Sequence, residues 1–134
     1  MKRIVLDTNV LVSAVLGGRV APVLDQWRAG RFTLVVTDAI VREYLTVLRR
    51  PKLGLPAEVV DDIAAYIFRK AEFVTPMEFL TVIAADPTDD RFLEAAVAGE
   101  AEVIVSGNKH LLTLKVFRQI PILTVAEFLN ALDE

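Results

Sequence analysis

Apolar residues along the chain fall into two kinds of run. Short unbroken runs, too brief for a helix face, predict strands at Arg3–Leu6, Phe32–Val36, Glu102–Ser106 and Ile122–Val125, with a shorter one at Phe73–Thr75. Longer segments repeat their apolar positions at helical spacing. Asn9–Leu16 is such a segment, stopped by Gly17-Gly18, and Val20–Ala29 is a second, with Pro22 in its first turn and Gly30 past its end. A third starts at a Thr37 or Asp38 cap and runs to Arg50, where Pro51 stops it. Ala57–Glu72 is apolar at Val59, Val60, Ile63, Ala64, Ile67 and Phe68, which lie on one helical face. Asp89–Ala98 closes at Gly99, a helical turn follows Gly107, and Ala126–Leu132 is the last helix.

Short apolar strands separated by helices predict an α/β fold: a three-layer α/β/α domain around a mainly parallel, five-stranded sheet. Ligands in such sheets sit beyond the carboxyl ends of the strands. Asp7 follows the first strand directly and interrupts an apolar run that resumes at Val10, so it stands at that edge.

Composition narrows the picture. Residues 1–134 suit one domain, and 54% hydrophobic residues fit a sheet covered on both faces, with apolar surface left over for association. No window approaches a membrane span, the start lacks a signal-peptide pattern, and the absence of cysteine excludes disulfides and thiolate metal sites, so a cytoplasmic protein is expected. A net charge of −3 gives no general affinity for phosphate. The chain has no GxGxxG, GxxxxGK[ST] or GxSxG, which removes dinucleotide, P-loop and α/β-hydrolase readings.

The acids carry the remaining signal. Glu43 borders the apolar stripe of the third helix, Asp86, Asp89 and Asp90 crowd "DPTDDRFLEAA", and Asn108 follows the "EVIVS" strand. Singly, each has an ordinary role: Asp7 and Asn108 as helix caps, Asp89 and Asp90 facing a helix dipole, Glu43 as a half-solvated helix charge. Converging on one sheet edge they would repel one another, which is tolerable with a cation among them. Oxygen donors without a cysteine or histidine pair suit Mg²⁺ or Mn²⁺ rather than Zn²⁺, and the lone His110 reads as a surface group, or one standing behind the ligands, rather than a catalytic base.

The chain resembles PIN-domain proteins, of the VapC-like kind that serve as toxins in bacterial and archaeal toxin–antitoxin pairs. The likeness rests on "VLDTNVLVSA", on Glu43 in "DAIVREYLTVLRRPK", on "DPTDDRFLEAAVAGEAEVIVSGNKHLL" and on "ILTVAEFLNAL". It implies catalytic and metal-holding acids at Asp7, Glu43 and Asp90, with Asp89 the alternative one residue away. The fourth acid of many relatives falls on Asn108, a departure that leaves the site one charge short. Thr8, Asn9 and Ser106 are implied as supporting groups, and Asn108 with them. The resemblance implies Mg²⁺- or Mn²⁺-dependent endoribonuclease cleavage of RNA, inhibited by a cognate antitoxin, in a chain that forms a homodimer. Arg42 and Lys109, beside Glu43 and Asn108, are the expected substrate-binding cations, whereas Arg49 and Arg50 read equally as helix-end charge. The alternative is a catalytically weakened PIN scaffold that binds RNA or protein. A phosphotransfer receiver domain fits poorly, because residues 73–79 offer no acceptor aspartate.

Overall fold

The computed structural model describes residues 2–83 and 86–133; Met1, Ala84, Ala85 and Glu134 lie outside the described residues. Six strands form one sheet: β1 (Lys2–Leu6), β2 (Phe32–Val36), β3 (Glu72–Phe73), β4 (Val103–Val105), β5 (Val116–Phe117) and β6 (Ile120–Leu123). Their spatial order is β3-β2-β1-β4-β6-β5, parallel throughout except for β5 against β6. The sheet thus has six strands rather than the expected five. β5 escapes a sequence reading because it is two residues long and turns into β6 through Arg118 and Gln119, both at positive φ. Such a turn usually announces itself with Asn-Gly or Gly, which this one lacks.

Seven helices alternate with the strands: α1 (Thr8–Val15), α2 (Pro22–Arg28), α3 (Asp38–Leu48), α4 (Ala57–Lys70), α5 (Asp90–Ala98), α6 (Lys109–Leu114) and α7 (Val125–Leu132). The boundaries shift by a few residues from those read off the sequence. Side chains of successive strand residues point to opposite faces, yet Ile4, Val5 and Leu6 are all fully buried, as are Leu34, Val35 and Val36. Both faces of the central strands are therefore covered, as a parallel sheet between helical layers requires. Packing is closest where α5 ends: a Cβ on Gly99 would stand 2.5 Å from Val35 Cγ1, so only glycine lets the helix end come this near β2.

Between β3 and α5, residues 74–83 form an irregular strap. Val74 N–H still donates to Val36 O at 2.8 Å, and beyond it the strap is held by side chains of α5. Glu94 accepts from Leu80 N–H at 2.8 Å, and Asp90 Oδ1 accepts from Val82 and Ile83 N–H at 3.1 and 3.0 Å. One turn apart on the same helix, these two buried carboxylates replace a strand's ladder. An open groove of about 480 Å³ lies between α1, α2 and α4, lined by Leu11, Val15, Trp27, Ile63 and Tyr66. Among the described residues no helix is long and apolar enough to cross a membrane.

Candidate active site

The carboxyl ends of β1 and β4 meet a cleft of about 440 Å³. Asp7, the residue after β1, lies at its floor, 3% exposed. Asp7 caps α1 through Val10 N–H (2.9 Å to Oδ1), while Oδ2 accepts from the Ser106 hydroxyl. The helix-cap role and a place in the cleft thus coexist in one side chain. Burial pushes the Asp7 carboxyl above its usual value and the Glu43 charge adds to that, against hydrogen bonds from Ser106, Val10 and Gly107.

Glu43 enters from the opposite wall, on α3. The next residue fixes the helix: the buried Tyr44 hydroxyl donates to Leu6 O, the last carbonyl of β1, at 2.5 Å. Burial and the nearby Asp7 and Glu43 charges push this phenol well above its ordinary range, so it remains a donor. The Thr8 hydroxyl donates to Glu43 Oε2 and turns that carboxylate toward the α1 start.

Of the two adjacent acids, Asp89 lines the cleft and Asp90 does not. Asp89 closes the short 3₁₀ turn Pro87–Asp89, lines the cleft and accepts from Asn108 Nδ2 at 3.1 Å. Asp90, one residue on, begins α5 and spends its carboxylate on the strap, outside the cleft lining. Adjacent positions at the start of a helix point about 100° apart, so a one-residue choice decides between cleft and strap. Asp89 is raised to about 6, first by burial, then by the charges of Asp86, Asp7 and Glu43, with only His110 pulling the other way. Asp86 also lines the cleft, and the Thr88 hydroxyl and N–H, at 2.6 and 3.1 Å, hold it below the usual carboxylate range.

The turn between β4 and α6 brackets both buried acids. Ser106 donates to Asp7 and accepts from Asn108 N–H at 2.9 Å. Asn108 Oδ1 is occupied in capping α6 through His110 N–H at 2.8 Å, which leaves Nδ2 for Asp89. The amide at the position of a fourth acid therefore offers the cleft a donor rather than a carboxylate.

Of the other residues singled out from the sequence, Thr8, Asn9 and Arg42 line the cleft, and Lys109 does not. Thr46, Val47 and Arg50 also line it. Part of their signal was present: Arg42, Glu43, Thr46 and Val47 recur at the spacing of one face of α3, and Arg50 follows just past its end.

The donors fit a hard divalent cation. They are all oxygens, and burial first and neighbouring carboxylates second raise two of them, a cost that a cation relieves. Among the described residues no three acidic or histidine side chains form a ready-made cage.

The PIN domain family model matches residues 3–110. No curated protein matches the sequence. Among solved structures, a chain of VapBC2 from Rickettsia felis, bound to a DNA fragment from its promoter, superimposes with a TM-score of 0.57 at 13% identity, over 91% of this chain and 98% of that one. At 13% identity the likeness speaks for the fold.

Proposed function

Since the chain belongs to the PIN domain family, we propose that it is a divalent-cation-dependent endoribonuclease, cytoplasmic and acting as a toxin restrained by a cognate antitoxin. The observation that carries this reading is the pairing of Asp7 and Asp89 through Ser106 and Asn108 at the strand ends, with Glu43 across the cleft. Asp7 and Asp89 would hold Mg²⁺ or Mn²⁺, with Glu43 facing them. Asp89 takes the part that the sequence motif gave to Asp90. When bound, such an ion offsets charge on the scissile phosphate and makes water a better nucleophile.

The chain's own groups do the rest. Ser106 fixes the Asp7 carboxylate, and Asn108 fixes that of Asp89, so the two acids hold their separation without outside help. Thr8 orients Glu43, which is the group placed to accept the proton of an attacking water. Asn9, at the exposed cleft rim, offers an amide to substrate. The likeness to a VapBC2 chain supports the toxin role, and a homodimer is the proposed assembly.

Cleavage of an RNA panel tests the reading. Activity should require Mg²⁺ or Mn²⁺, stop with EDTA, and fall at least a hundredfold in Asp7→Asn and in Asp89→Asn, on the order of 10² or more for loss of a ligand or its support. Undiminished cleavage by either variant would sink the mechanism. The second reading, a weakened scaffold, draws on the neutral Asn108; RNA binding with no cleavage at saturating Mn²⁺ would favour it.

A further inference from the structure

Asp7 and Glu43 face each other across the cleft from different elements, the end of β1 and the middle of α3, so their separation must be fixed by contacts between those elements. Burial of Ile40, Val41 and Leu48 presses α3 onto its neighbours, but apolar contact is non-directional and leaves the helix free to slide. Hydrogen bonds supply the missing direction. Arg3 O accepts from Glu102 N–H at 2.7 Å and Asp7 N–H donates to Val105 O at 3.0 Å, so the odd residues of β1 face β4. By alternation Leu6 faces the β2 side, where β1 pairs as far as Ile4 with Leu34. Leu6 is fully buried, and its carbonyl takes the Tyr44 hydroxyl at 2.5 Å. The peptide ahead of Asp7 is thus held at both ends, by α3 at its oxygen and by β4 at its nitrogen.

A second bond runs the other way. The Thr8 hydroxyl, at the start of α1, donates to Glu43 Oε2. Leu6 and Thr8 flank Asp7 in the chain, and Glu43 immediately precedes Tyr44. Two bonds of opposite direction therefore close a ring: from Asp7 back to Leu6, across to Tyr44, along the helix to Glu43, and across again to Thr8. We propose that Tyr44 is a positioning residue, whose bond to the Leu6 carbonyl completes this ring and sets the separation of Asp7 and Glu43. The chemical consequence rests on the nuclease reading above, to which it adds a residue behind the cleft wall. Tyr44 is fully buried and outside the cleft lining, so it acts through Glu43 and never meets substrate. Such a ring cannot shear without breaking one of its bonds. A phenylalanine would fill the same space, leave the Leu6 carbonyl without the phenol and let α3 slide.

The test pairs crystal structures of metal-free wild type and Tyr44→Phe with cleavage kinetics in Mn²⁺, all measured well below the melting temperature of every variant. In Tyr44→Phe the Glu43 carboxylate should stand about 1 Å or more from its wild-type place relative to Asp7, a misplacement of the size that matters to catalysis. On an RNA that the wild type cleaves, kcat should fall about tenfold to a hundredfold while KM moves less than about twofold, because a shifted acid fails the transition state and leaves ground-state binding alone. Thr8→Val should do the same, and the double variant should be no worse than the worse single, since either break opens the ring. Val41→Ala loosens the packing of α3 without touching the ring, and should lower the melting temperature but not kcat. An unmoved Glu43 or a wild-type kcat in Tyr44→Phe overturns the proposal, and so does an equal kcat loss in Val41→Ala. A double variant that loses the product of the two single losses overturns the closed ring. A displaced Glu43 in a protein whose wild type cleaves no RNA would defeat the nuclease reading and spare the positioning role. Wild-type cleavage with an unmoved Glu43 would do the reverse.

Discussion

Asp89 concentrates the physics of the site. Its carboxyl is raised from 3.8 to about 6, so the folded metal-free protein holds this proton more tightly than the unfolded chain. Below the unfolded value both states are protonated and the residue costs nothing. As pH rises through 3.8 to about 6 the metal-free fold loses stability, and the loss persists above that window. Thermal melts in EDTA should therefore show wild type falling behind Asp89→Asn across this window, and the gap should close when Mn²⁺ is added. A parallel pH dependence in the two proteins would contradict this. Asn108→Asp keeps a good cap on α6 but swaps a donor for a charge beside Asp89. It should destabilise the metal-free protein by about 1–3 kcal/mol, the worth of a hydrogen bond to a charged group plus repulsion. Mn²⁺ affinity by calorimetry, and cleavage at limiting metal, should rise. Unchanged metal affinity would place Asn108 outside the metal's reach.

At the scale of elements, the strap and α5 are one unit. Asp90 holds two backbone N–H groups from a buried position, so Asp90→Ala leaves two donors without a partner. The expected cost is about 2–4 kcal/mol in urea unfolding, with a smaller loss in Asp90→Asn, which keeps an acceptor. Asp89→Asn, by contrast, should silence cleavage and leave the pH-neutral fold no weaker. Reversal of those two outcomes would restore the motif's original assignment. This also marks how far the sequence could be read. Strand runs such as "RIVL" and "FTLVV" and stops such as Pro51 are local signals, and the strands and helices they define lie where local signals place them. The choice between Asp89 and Asp90 is not local: it depends on where a strap running from Val74 to Ile83 passes across α5. The bond from Ser106 to Asp7 joins residues 99 positions apart, and nothing in either neighbourhood announces it.

The whole molecule leaves apolar surface uncovered. Met77 and Phe79 on the strap are each 86% exposed, and Phe68 stacks on Phe73 at the β3 edge. Both sheet edges end in strands of two residues, β3 and β5, which offer little template for strand pairing. Association should therefore proceed through side chains and give a closed dimer rather than an extended sheet. Light scattering at rising concentration should plateau at twice the monomer mass; a monomer throughout would remove the dimer, and unlimited growth would contradict the edge argument. β1 is central, paired with β2 on one side and β4 on the other, so the cleft is finished only after β4 has been made. A nascent chain that has completed β2 and α3 already carries Asp7 and Glu43, but not Asp89, nor the 106–108 turn that brackets the buried acids. At roughly 5–20 residues per second, several seconds of translation separate the first acid from the last bracket. If the proposed activity holds, the ribosome, itself built of RNA, carries throughout that interval a chain that still lacks its last cleft acid and the turn that holds the first.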